Sequence, residues 1–202
     1  MNKQQNILIA GDSFAADWSL TPGEPQYGWP TLLSYCYNIN NVAKGGVGEY
    51  KILQQLKNQD LSKYSTVIIA HTSPTRCHTK THPIHSKDSF HNSCDLLYSD
   101  IEYHNNKISN FFNFSLRAAK NWFIYHYDHE YQQDIYWLIR NEIDRLLDGK
   151  NVIELKSFDV VADSTHTVLD YSHEVVHNRN YANHYTPKTN KKIFDDLLEL
   201  LK

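Results

Sequence analysis

The sequence predicts an α/β fold with a central, mostly parallel sheet of four to five strands. Three observations carry that prediction. Short runs at Ile7–Ala10, Thr66–Ala70 and Asn151–Leu155 are rich in apolar residues, as strands buried on both faces must be. Stretches with helical apolar spacing lie between them. The first three strands each end in a small or polar cluster: Gly11-Asp12-Ser13, Lys44–Glu49 and His71–Arg76. In a parallel sheet those ends gather at one edge, where open α/β folds place their ligands.

Bulk properties narrow the function. The 202 residues fit one domain over 1–202, with a helical insertion around 99–148. The net charge of −3 gives no basic face for nucleic acid. No apolar run is long enough to cross a membrane, and the first strand follows Met1–Gln5 with no signal peptide, so a cytoplasmic protein is expected. Cys36, Cys77 and Cys94 fit no paired metal motif and read as reduced thiols.

In chain order, the strand Ile7–Ala10 runs into the Ser13 turn, and a Pro- and Gly-rich loop follows from Thr21 to Gly28. Gly28-Trp29-Pro30 opens a helix, since Pro suits a first helical turn; Leu32, Leu33 and Cys36 are expected to face the core, and Trp29 to pack there. Asn38–Ala43 forms a second strand. Gly45-Gly46-Val47-Gly48 then leads into a helix carrying Ile52, Leu53 and Leu56. Glycines there let the backbone approach closely, and free N–H groups at a helix start favour an anion or a developing oxyanion.

After the third strand, His78, His82, His85 and His91 share a polar stretch. Pro83 breaks any helix that would gather them, and zinc motifs are tighter, so the loop reads as solvated or substrate-lining and no metal is expected. Ser99–Asp148 reads as two helices. The first carries Ile101, Ile108, Phe112 and Leu116; the second carries Tyr131, Ile135, Leu138, Ile139, Ile143, Leu146 and Leu147 and is closed by Gly149. Trp122–Asp128 fits strand or helix. A fifth short strand is expected over Thr165–Leu169. Thr186 and Pro187 cap and open a last helix bearing Ile193, Phe194, Leu197, Leu198 and Leu201, with His184 in the loop before it.

With these elements placed, the sequence resembles the SGNH hydrolases, also called the GDSL esterase/lipase superfamily. Gly11-Asp12-Ser13-Phe14 looks like the family's first block and Asn41–Gly46 like its second. Val67–Ala70 with its turn looks like the third, and His184 like the last. The resemblance implies a flavodoxin-like three-layer α/β/α sandwich and a cofactor-free ester hydrolase. Ser13 would be the nucleophile and His184 the base. The oxyanion hole would be built from the N–H groups of Ser13 and Gly46, with Thr72 or Ser73 at the place of the family's Asn. The family's Asp, three residues before the His, is Tyr181 here. The site is then a Ser–His dyad, or it is completed by Asp163, Asp170, Glu174 or backbone carbonyls. Asp12, Arg76 and Asn183 are candidate substrate-binding residues, with Asp12 also ordering the turn.

A small-molecule or carbohydrate ester is the expected partner, because Tyr and Trp suit sugar faces. Two other readings are an inactive binding module of the same fold and a phosphate or nucleotide binder using Gly45–Gly48.

Overall fold

Five parallel strands form the middle layer of a computed structural model that describes residues 5–21, 26–158, 166–176 and 181–202. They are β1 (Asn6–Gly11), β2 (Asn38–Asn41), β3 (Thr66–Ala70), β4 (Asn151–Lys156) and β5 (Thr167–Asp170). Their order is β2-β1-β3-β4-β5, all pairs parallel. Strand order reverses beside β1, so the carboxyl ends of β1 and β3 flank the crevice where such sheets bind ligands. Thr165, expected to start the fifth strand, lies outside the described residues.

Alternation along each strand sends side chains to opposite faces. Ile7, Ile9, Ile68, Ile153 and Leu155 meet α1 (Trp29–Ser34) and α6 (Pro187–Leu200). Leu8, Ala10, Val67, Ile69 and Val152 meet α2 (Glu49–Lys57) and α5 (His129–Leu146). With helices on both faces, the three-layer α/β/α sandwich follows.

Three local expectations are corrected. The stretch expected as two helices forms three: α3 (Tyr98–Asn105), α4 (Phe114–Tyr125) and α5. Asn113 caps α4 through its side chain, and the residues before it turn outward, leaving Ile108 and Phe112 exposed rather than in a buried stripe. Trp122–Tyr125 is helix. Tyr131 and Leu138 are exposed, and α5 instead buries Tyr136 and Arg140 beside Ile143. Cys36 is exposed because α1 ends at Ser34, before its periodicity would bring Cys36 inward. α3 and α4 share their own small core of Ile101, Leu116, Phe123 and Cys77.

A charged cluster lies within the sheet–α5 layer. Arg140 Nη2 donates to both Glu154 oxygens at 3.2 Å. His71 Nδ1 meets Glu49 at 2.5 Å, and its Nε2 stands 3.5 Å from Glu154. Burial opposes charge on His71, yet Glu49 and Glu154 outweigh it and hold its pKa above the ordinary value. Burial likewise opposes charge on Glu154, but His71, Arg140 and His166 bring it down to about 2. Four charges are thus buried as alternating partners.

Breaking such a group from one side leaves a charge unpaired. Arg140→Met is expected to cost about 3–5 kcal/mol in urea unfolding. A loss below about 1 kcal/mol would mean that His71 and His166 alone neutralise Glu154.

Candidate active site

Residue Ser13 sits in a tight turn at the carboxyl end of β1. Ala15 and Ala16 N–H both donate to the Asp12 carbonyl, at 3.1 and 3.0 Å, and Phe14 N–H donates to Asp12 Oδ1 at 2.9 Å. The turn's outward carbonyls are then fixed from afar. Trp18 Nε1 donates to Ser13 O at 2.9 Å, Trp29 Nε1 to Phe14 O at 2.9 Å, and Asn41 Nδ2 to Ala15 O at 2.9 Å. Asn183 Nδ2 reaches Ser13 O at 3.2 Å and Ala16 O at 2.9 Å. Trp29 is fully buried, so it packs as expected while also holding the turn.

The structure brings His184 to this turn. Its Nε2 lies 2.9 Å from Ser13 Oγ. The ring packs on Phe14, centroids 4.8 Å apart, and meets Trp18 edge-on at 5.6 Å. Backbone bonds hold its loop: His184 N–H donates to Tyr181 O at 3.1 Å, and Val176 N–H to His184 O at 2.8 Å. Asn183 and His184 are both left-handed, with φ of 54° and 58°. Side-chain-bearing residues adopt that region at a cost, and such strain persists where surroundings over-determine it.

Asn190 supplies much of that determination. From the first turns of α6 its Nδ2 donates to Ala182 O at 2.9 Å, Tyr185 O at 3.0 Å and Thr186 O at 3.3 Å, while its Oδ1 accepts Trp29 N–H at 3.0 Å. The sequence carries no local sign of this role, since Asn190 reads as an ordinary polar helix residue. Gly28 makes room for the neighbouring side chain: a Cβ there would stand 1.6 Å from Asn183 Oδ1.

Of the residues expected on the oxyanion side, the structure gathers Ser13 and Gly46 at one cavity. Ser13 and Gly46 line one cavity of about 550 Å³ together with His184 and Arg76. Neither the Ser13 nor the Gly46 N–H has an acceptor among the described residues. Gly46 has φ of +73°, and a Cβ on it would stand 2.7 Å from Cys94 Cβ, so the position requires glycine. Thr72 does not fill the third place. It is fully buried, does not line the cavity, and its hydroxyl pulls down the pKa of Asp12. Ser73 bonds Thr75 instead, with their hydroxyls 2.8 Å apart. The physical reason is that the His71 ring and the Thr72 N–H, just past β3, are both tied to Glu49.

Of the carboxylates considered for His184, Asp170 bonds Lys156 and Ser172, and Glu174 accepts from Thr189. Asp163 lies outside the described residues. Asp12 is fully buried under the turn rather than open to a substrate, and Asn183 is likewise buried and structural in its contacts.

The histidine loop closes the far wall. His85 and His91 line the cavity. His82, His85 and Asp100 bring donor atoms within 4.8 Å of one another, a grouping that sequence spacing did not reveal. His82 Nδ1 accepts the N–H groups of Ile84 and His85, both at 3.2 Å. Its proton therefore sits on Nε2, facing Asp100, in the tautomer that does not ligate through Nε2. Burial, with His85 adding to it, lowers His82 to about 4 and keeps it neutral.

The chain matches no protein-family model and no curated protein.

Two outcomes test the geometry. Gly28→Ala is expected to displace Asn183, cost about 1–3 kcal/mol as an overpacked site, and lower Ser13 reactivity; unchanged Tm and reactivity would show that the loop yields freely. Burial raises Asp12 to about 6 against the pull of Arg76, the Phe14 N–H and Thr72. A raised folded pKa gives a contribution that is intact below about 4 and lost as pH climbs through about 6. Asp12→Asn should therefore gain on the wild type by up to about 3 kcal/mol between pH 4 and 7.5, read as a widening Tm difference. A constant difference across that range would refute the assignment.

Proposed function

We propose that this chain is a serine hydrolase of the SGNH type, cleaving an ester of a polar, small-molecule or carbohydrate substrate. The observation that carries the reading is the 2.9 Å contact between Ser13 Oγ and His184 Nε2, two residues 171 positions apart in the chain. Serine is a weak nucleophile until a base takes its proton, and imidazole, with an ordinary pKa of about 6.5, suits that exchange near neutrality.

In this mechanism His184 carries its proton on Nδ1 and accepts the Ser13 proton at Nε2 as Oγ attacks the acyl carbon. The Ser13 and Gly46 N–H groups, which have no acceptor among the described residues, receive the oxyanion of the tetrahedral intermediate. His184 then returns the proton to the leaving alcohol, and water, deprotonated in turn by His184, releases the acyl group. Thr21, Ser99, His85 and Tyr103 around the cavity suit a polar substrate.

The phosphate-binder reading loses ground at the loop it relies on. Gly48 N–H, at the start of α2, already donates to the Asp95 carboxylate at 2.7 Å, so a protein anion fills that place. A cytoplasmic setting is part of the proposal: all three cysteines are free, and burial raises Cys77 to about 11 and Cys94 to about 12, leaving inert thiols.

A fluorophosphonate probe is expected to label the wild type, with labelling abolished in Ser13→Ala and reduced at least about 100-fold in His184→Ala. Hydrolysis of p-nitrophenyl acetate should fall in parallel. A folded wild type that neither reacts nor hydrolyses would leave the binding-module reading in its place.

A further inference from the structure

The wall of the Ser13 cavity carries a guanidinium with little to bond. Arg76 is half-buried and lines the cavity with Ser13, Gly46 and His184. Its Nη1 donates to the Gly46 carbonyl at 3.2 Å, the one hydrogen bond its side chain makes among the described residues. Its Nε is buried and has no acceptor. No carboxylate among the described residues stands within ion-pair distance of it. A guanidinium is a fork of N–H donors that stays charged, and removing it from water unpaired is costly.

The nearby acids are engaged elsewhere. Asp95 shares the cavity but pairs with Lys51 at 2.7 Å and accepts the N–H groups of Gly48 and Thr79, at 2.7 and 2.8 Å. Asp100 bonds His85 at 3.1 Å. Asp12 acts on the guanidinium only from beyond ion-pair distance and is itself pushed toward its neutral form by burial. The cavity thus holds a cation with no carboxylate among the described residues at ion-pair distance, with the His85 and His91 rings on the same lining.

We propose that Arg76 is an anion-binding subsite of the Ser13 cavity, and that the ester taken there carries a carboxylate or phosphate group. The substrate half of this proposal rests on the hydrolase reading; the anion half does not. Arg76 is bonded to Gly46, the residue whose free N–H is assigned to the oxyanion, so the subsite adjoins the reacting centre. A planar fork can bond either anion through two parallel hydrogen bonds, which a lysine cannot reproduce.

Calorimetric binding separates the two halves. The Ser13→Ala protein is titrated with monomethyl succinate and, separately, with inorganic phosphate. The same titrations follow on Ser13→Ala carrying Arg76→Ala or Arg76→Lys. At least one probe is expected to bind, and which one binds names the anion. Arg76→Ala should weaken binding by about 10- to 100-fold, with Arg76→Lys intermediate.

In the active protein, kcat/KM for mono-p-nitrophenyl succinate over that for p-nitrophenyl butyrate should drop at least about tenfold in Arg76→Ala. Should Arg76→Ala fail to fold, Arg76→Lys keeps the charge and carries the test alone. If neither probe binds, or if folded Arg76 variants bind as tightly as the parent, the proposal is overturned. Fluorophosphonate labelling reports the nucleophile independently. Arg76-dependent binding without labelling keeps the subsite and removes the esterase; labelling without anion binding does the reverse.

Discussion

The carbonyl oxygen of Ser13 is the point on which the site depends. It receives the Trp18 indole from its own side of the chain and the Asn183 amide from the other end. That second bond sets the reach of the loop carrying His184. To make it, Asn183 turns left-handed, and His184 follows in the same region. Asn tolerates that region better than other side-chain-bearing residues, which accounts for its place there. The cost at His184 is offset by Asn190, whose amide gathers three carbonyls of the loop and whose oxygen takes the first free N–H of α1. Ser13 and His184 are therefore aligned by backbone carbonyls and two amides together with the core rings of Phe14 and Trp18.

The same economy appears behind the sheet edge. Glu49, His71, Glu154 and Arg140 form a buried row at the carboxyl ends of β3 and β4. The row ties α2 and α5 to the strands and fixes the start of the turn that leads to Arg76. Thr72 N–H donates to Glu49 Oε2 at 3.2 Å, and the Thr72 side chain is fully buried and does not line the cavity. Arg76, not Thr72 or Ser73, is then the first residue of that turn to reach the cavity.

Much of this was legible in the sequence, and the limits have a physical pattern. Strands β1, β3 and β4 announce themselves by apolar runs, and Ser13, Gly46 and His184 by turn chemistry close along the chain. What stayed hidden depends on residues far apart. Gly28 makes room for Asn183 from the far end of the chain, and Asn190 accepts the Trp29 N–H across 161 positions, relations that periodicity cannot express. The gathering of His82 and His85 around Asp100 depends on where α3 docks. The helices of 98–146 are not legible from spacing because Ile108 and Phe112 keep helical spacing while standing exposed, so a pattern that signals burial is present without burial. Arg140 and Glu154 escape the pattern for the opposite reason, as charged residues buried inside an apolar stripe and strand.

The oxyanion side sets a constraint on any chemistry at Ser13. Two backbone N–H groups have no acceptor among the described residues, and the side chain expected as a third is fully buried away from the cavity. One such donor is commonly worth about 100- to 1000-fold in turnover, so a site with two must draw its remaining selectivity from binding energy away from the reacting carbon. The cavity offers one strong, unspent source of that energy, the guanidinium bonded to the carbonyl of Gly46. An anion held there would be used in the transition state only if it pulled the acyl carbon toward Ser13 Oγ, and the bond to Gly46 links that pull to the loop carrying the oxyanion donor. Under the proposed chemistry one residue, Gly46, would serve both the anion and the oxyanion, and it must be glycine because its φ is +73° and a Cβ would stand 2.7 Å from Cys94 Cβ.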